Sequence, residues 1–278
     1  MINRISETIT REQATERRPE TMAEVPMSFY EQVRSDVLRH GAINNSYLDR
    51  FFVGDVSDKE FREFAVEFYN FSRFFPRILA AQLVNTEDEA VADELTKVLY
   101  SELGDGSVKQ RHELLYRNFL RSLGINIHAA MTTPMKPSTK AYIEGMENLY
   151  GSGNHAMALG ASFGLENMAI TMWDHLIPGL TRLRATRYAG MDMTYFVFHR
   201  QLESEHERAM QQAIGAVDGD GGGSHVPMSD KEKDDFRLGM NAVLDYLEGF
   251  WMGLERKPAV VAQTRPRPVQ ELERELRG

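Results

Sequence analysis

Cysteine is absent from the 278 residues. That absence removes disulfides, thiolate metal sites, iron–sulfur clusters and a cysteine nucleophile. It fits a reducing compartment, and a cytoplasmic location is expected. Positive charge is also scarce: 32 Lys and Arg against 41 Asp and Glu leave a net charge of −9. Neither a nucleic-acid partner nor a basic face drawn to membranes is expected from such a balance. No long apolar run is free of ionisable groups. The most apolar stretch, Met157 to Leu180, carries Glu166, Asp174 and His175, which argues against a membrane span. Met1 to Pro26 has no apolar segment of the kind a signal peptide needs. Strand signals are missing too, since no pair of alternating runs flanks an Asn-Gly or Asp-Gly turn.

What the chain has is helical periodicity. With 42% apolar and 26% charged residues it can bury an ordinary core. Phe61, Phe64, Ala65, Phe68, Phe71, Phe75, Leu79 and Leu83 recur at steps of three and four. The spacing predicts helices near 28–40, 58–84, 87–103, 107–123, 138–150, 154–177, 187–214 and 230–256. Ser57-Asp58 and Thr86-Glu87-Asp88 read as helix starts, because their side chains can accept the free first-turn amides. Gly124 and Gly151 read as helix ends, and Thr132 to Pro137, with two prolines, reads as a loop. The expected organisation is a flexible arm over 1–25, one all-α domain over 26–256 containing a Gly-rich loop at 218–224, and a disordered tail over 257–278.

Three places could carry chemistry. On the predicted helix 187–214, His199, Glu203 and His206 are spaced by four and three. At about 100° per residue they fall within a stripe roughly 60° wide. Two imidazoles and a carboxylate on one rigid stripe suit iron or manganese, although the same stripe could face water. Second, Glu102 and His112 flank Gly104-Asp105-Gly106. On one straight helix they would be separated by roughly 15 Å of rise and a rotation of about −80°, so a shared site requires the helix to bulge, unwind or break near the glycines. If that segment is a weakened helix, alanine at both glycines should stiffen it by roughly 1 kcal/mol per site. A plain turn with both side chains in solvent is the alternative. Third, Glu166 is an acid in a stretch otherwise built for burial, which is costly unless it is paired with a cation such as Arg182 or bound to a metal.

Taken together, Glu-x-x-Gly-x-Gly-x5-His-x-x-Leu, a lone Glu farther on, and His-x3-Glu-x2-His resemble the haem-oxygenase-like diiron oxidases and oxygenases. The resemblance runs from about Phe61 to Ile214, and Phe74-Phe75-Pro76-Arg77 looks like the end of that family's opening helix. Many members carry Asp where this chain has Glu203, which also ligates iron. The resemblance implies an all-α, haem-oxygenase-like bundle of about seven helices, forming a homodimer. It implies two non-haem Fe held by Glu102, His112, Glu166, His199, Glu203 and His206, with dioxygen as co-substrate and an external electron donor. Members that oxygenate amine nitrogens carry one more carboxylate. Glu63 and Glu67 are the candidates, with Glu67 the tentative choice because it sits among Phe64, Phe68 and Phe71. The leading expectation is oxidation of the nitrogen of a small amine or amino acid. The alternatives are oxidative C–C cleavage of an amino or fatty acid, or a metal-free binding module of the same fold. The thiamin-degrading relatives of that fold use a cysteine that this chain lacks. Phe163, Met168, Met172, Trp173, Tyr195 and Phe196 are candidate apolar walls. Arg73, Arg77, Arg182, Arg184 and Arg187 are candidates to meet a substrate carboxylate.

Overall fold

The computed structural model describes residues 27–203 and 228–255. The expectations for the arm 1–25, for the loop 218–224, for the tail 257–278 and for His206 fall outside those residues. Everything regular among the described residues is helical: α1 (Phe29–Arg39), α2 (Ser46–Val53), α3 (Asp58–Ser72), α4 (Phe75–Val84), α5 (Glu89–Glu102), α6 (His112–Ser122), α7 (Ile127–Thr132), α8 (Pro137–Tyr150) and α9 (His155–Thr186). Residues 194–203 belong to α10, and α11 spans Asp230–Leu254. Among the described residues, α1, α3, α5, α6, α8, α9 and α11 each span 11 residues or more. No described helix is long and apolar enough to cross a membrane.

The start signals act as expected. Ser57 accepts from the Glu60 amide in a full capping box, and Asp88 caps α5. Four boundaries differ from the periodic reading. The predicted helix 58–84 is two helices, because Pro76 has no amide to continue the ladder and instead opens α4. The segment 107–123 begins as a 3-10 turn, Val108–Gln110, before α6. α9 runs through Pro178 as far as Thr186. α10 starts only at 194, where Asp192 accepts from the Thr194 amide at 2.9 Å. The short helices α2 and α7, of 8 and 6 residues, have too few turns to show a period.

α9 is the axis of the bundle. It is buried on every face from Ala158 to Ala169, with α11 lying along it and α1, α2 and α8 also against it. The approach of α9 and α11 depends on two glycines facing each other's backbone. A Cβ on Gly160 would run into the Phe236 carbonyl, and one on Gly239 into the Met157 carbonyl. Helix separation is set by the side chains at the crossing, and here there are none. An aromatic layer of Phe64, Phe68, Phe71, Tyr116, Phe250 and Trp251 fills the space between α3, α6 and α11. It holds α3 so that Phe68, Phe71 and Ser72 face the middle of the bundle.

Gly160→Ala and Gly239→Ala are each expected to lower stability by about 1–3 kcal/mol, the usual cost of overpacking. Gly249→Ala, with open space around its Cβ, should be neutral or stabilising by up to about 1 kcal/mol. Thermal unfolding followed by circular dichroism compares the three.

Candidate metal centre

α5 ends at Glu102 and α6 begins at His112. Between them the chain reverses through three consecutive left-handed residues, Gly104 (φ 94°), Asp105 (φ 48°) and Gly106 (φ 78°). The reversal is tight. The Ser107 amide donates to the Gly104 carbonyl at 2.7 Å. A Cβ on Gly104 would meet the Ser107 carbonyl and come within 2.6 Å of the Arg111 amide nitrogen. The helix therefore breaks, as a shared site requires. The stiffening expected from alanine is reversed, because both glycines lie beyond the helix end in a conformation alanine resists. The outcome is a carboxylate and an imidazole, each less than a tenth exposed, with His112 Nδ1 2.8 Å from Glu102 Oε2.

α9 and α10 complete the group. His199 and Glu203, one turn apart on α10, are both buried, and so is Glu166 on α9. His199 Nε2 stands 3.9 Å from Glu102 Oε1, and the two imidazole centroids are 4.1 Å apart. One donor atom each from Glu102, His112 and His199 lies within 4.8 Å of the others. Glu102, Glu166, His199 and Glu203 line one cavity of about 50 Å³, walled mainly by Phe68, Phe71, Met168, Met172 and Trp173. That is room for a few water-sized groups. Five of the six expected ligands are brought together; the sixth, His206, lies outside the described residues.

The donors fit a cation better than they fit one another. Neither nitrogen of His112 has a hydrogen-bond partner, although Nδ1 is 2.8 Å from a carboxylate oxygen. The approach is close but misaligned for a shared proton, which is unfavourable in a buried site unless a positive ion takes both lone pairs. His199 donates from Nδ1 to the Tyr195 carbonyl at 2.9 Å. This holds Nε2 as the lone-pair donor, the usual support of a metal-bound imidazole. Trp173 donates from its indole to Glu203 Oε1 at 2.7 Å and so orients that carboxylate. A second cluster, His40 with Asp245 and Glu248, is already satisfied. The Ala42 amide donates to His40 Nδ1 at 3.1 Å, and Nε2 faces Asp245 at 3.2 Å.

The phenols around the centre stay protonated. Burial pushes Tyr195 well above its ordinary value, and the Glu102 charge adds to the effect. Burial does the same at Tyr142 and Tyr150, with Glu166 next in weight. Arg182 is not the partner of Glu166; its guanidinium packs on the Phe52 ring and donates to the Phe52 carbonyl. Glu67 is placed elsewhere. Both its oxygens accept from the Lys136 amide at 3.2 Å, at the start of α8, which has no side-chain cap of its own. It is buried without being part of the cavity wall. Glu63 pairs with Lys136 Nζ at 3.0 Å. Sequence reasoning took Trp173 and Tyr195 only as apolar wall. Their spacing held the signal: Trp173 is two turns past Glu166 on α9, and Tyr195 is one turn before His199.

Residues 62–223 match the iron-containing redox enzyme family, more than half of the chain. The chain belongs to that family. Its fold is haem-oxygenase-like. It is similar to a CADD-like protein of unknown function from Nostoc punctiforme, with TM-score 0.66 and 16% identity over 81% of this chain and 95% of that one. It is similar to a domain of unknown function with a heme oxygenase-like fold from Shewanella denitrificans, with TM-score 0.63 and 14% identity over 84% of this chain and 93% of that one. It is also similar to a TenA homolog from Pseudomonas syringae pv. tomato, with TM-score 0.66 and 14% identity over 82% of this chain and 92% of that one. No curated protein matches the sequence. For an iron-containing redox enzyme, imidazoles mixed with carboxylates are a suitable donor set.

Two substitutions probe the centre. Gly104→Ala should cost at least about 1–2 kcal/mol in backbone strain and lower the iron retained per chain. Trp173→Phe keeps an aromatic ring, though a smaller one, and removes the donor to Glu203. It should weaken iron binding about 10–100-fold, the usual effect of losing a partner that orients a ligand, beyond the modest loss of stability that a smaller buried ring brings. Iron titration and thermal unfolding on the same samples measure both.

Proposed function

We propose that this protein is a non-haem diiron oxygenase that uses dioxygen to oxidise the nitrogen of a small amine or amino acid to a hydroxylamine or nitro product. The observation that carries this reading is the buried Glu102–His112–His199 group, in which both His112 nitrogens lack a hydrogen-bond partner. Two irons held by Glu102, His112, Glu166, His199, Glu203 and, from the sequence, His206 would supply the reductive activation of dioxygen.

The chain's own groups do the rest. The Tyr195 carbonyl fixes the His199 tautomer, and the Trp173 indole fixes Glu203. The phenylalanine and methionine wall keeps bulk water from a reactive oxidant. Burial keeps Tyr142 and Tyr150 neutral on the Glu166 side of the cavity. In the first oxygenation one oxygen atom joins the nitrogen. The other leaves as water and takes up two electrons and two protons, so an external electron donor is part of the proposal. The same apolar wall would also suit an alkyl chain, which supports oxidative C–C cleavage of an amino or fatty acid as the second reading.

Anaerobic iron loading followed by mixing with oxygen-18 dioxygen and a panel of amines, amino acids and fatty acids tests the choice. The expected result is two irons per chain and an optical transient whose decay one amine or amino acid accelerates, with label in an N–O product. Release of carbon dioxide and an alkene would replace N-oxygenation with the second reading. Failure to bind iron or consume dioxygen would overturn both.

A further inference from the structure

Ser72, Glu102 and Tyr195 form a wall with a cavity on each side. One side is the small metal cavity. The other is a broader space of about 460 Å³, lined by Arg73, Arg77, Arg111 and Arg117 together with His112 and Glu113. Four guanidinium groups face two carboxylates there, in a chain whose net charge is −9. The positive excess is therefore local. Arg117 is committed, with Glu113 at 2.6 Å and the Tyr69 hydroxyl at 3.0 Å. The side chains of Arg77 and Arg111 are exposed and make no hydrogen bond or ion pair among the described residues. Arg73 lies over the Phe74 ring, 4.6 Å from its centroid, and its Nε is buried with no hydrogen-bond partner. Arg73 also lines the vestibule, and an oxyanion is a natural partner for a guanidinium group there.

We infer that this vestibule binds a carboxylate carried by the substrate, with Arg73 and Arg77 as its main partners and Arg111 at the rim. The planar guanidinium fork matches a carboxylate with two parallel hydrogen bonds. A molecule anchored there by its acid group lies against the Ser72–Glu102–Tyr195 wall, whose other face lines the metal cavity. The inference rests on the proposed function for the identity of the ligand as substrate, and it favours an amino acid over a simple amine. The anion site itself rests on the arginines.

Calorimetric titration of the full-length protein, iron-loaded and metal-free, with hexanoate, ω-aminohexanoate, hexylamine and inorganic phosphate tests it. The metal-free arm excludes iron as the carboxylate's partner. Hexanoate and ω-aminohexanoate are expected to bind in both forms, and hexylamine to bind far more weakly. Arg77→Gln, an exposed position that leaves the core intact, should weaken hexanoate about ten-fold. Arg73→Gln should weaken it further, with iron per chain unchanged in both variants. The inference is overturned if neither acid binds, if hexylamine binds as well as hexanoate, if Arg77→Gln leaves affinity unchanged, or if phosphate binds as tightly as hexanoate. Arginine-dependent binding of hexanoate by a protein that takes up no iron would leave the vestibule standing and remove the diiron reading. Two irons without such binding would do the opposite.

Discussion

A carboxylate and an imidazole 2.8 Å apart, buried, and without a hydrogen bond between them form an arrangement that a protein does not hold for its own sake. Glu102 and His112 are kept in that relation by a backbone reversal that three left-handed residues make possible. The loop brings the end of one helix and the start of the next to a single point. Everything else in the centre is arranged around that point. α10 delivers His199 and Glu203 from one turn, and α9 delivers Glu166 from a helix buried all round. Three acids and two imidazoles are thereby gathered at one place in the bundle, a donor set suited to a metal cation.

The bundle supplies rigidity where the loop cannot. Gly160 and Gly239 let α9 and α11 approach backbone to backbone, so Glu166 projects from a helix with little freedom to shift. The aromatic layer beneath α3 presents Phe68 and Phe71 to the cavity. The break before Pro76 then turns the chain so that Phe75 faces the cavity and Arg73 and Arg77 face the outer vestibule. A proline without an amide thus sits where an apolar cavity and an arginine-lined vestibule divide.

Much of this was legible in the sequence, for physical reasons that differ from residue to residue. Long periodic segments such as α3, α9 and α11 repeat their apolar face often enough to be read, whereas α2 and α7 do not. The His199 and Glu203 stripe follows from helical geometry alone. Glu102 and His112 do not: their spacing excludes a common site on a straight helix, and only the resemblance to haem-oxygenase-like diiron oxidases marked them as partners. Glu67 shows the limit. Its neighbours suggested an inward carboxylate, and it is indeed buried. Its partner, though, is an amide 69 residues away in sequence, and helical periodicity carries no information about such a contact. The sign of the alanine effect at Gly104 was likewise hidden, because it depends on a φ value that the sequence permits without specifying.

The proposed diiron centre has Glu102, His112, Glu166, His199 and Glu203, with His206 from the sequence, holding one pair of irons. Anomalous diffraction on either side of the iron edge, from crystals of protein loaded anaerobically, tests it directly. Two iron peaks about 3.5–4 Å apart are expected, with Glu102 and His112 both within bonding distance, about 2 Å, of iron. A single peak, iron at His40, Asp245 and Glu248 instead, or Glu102 turned to solvent in the loaded protein would contradict it.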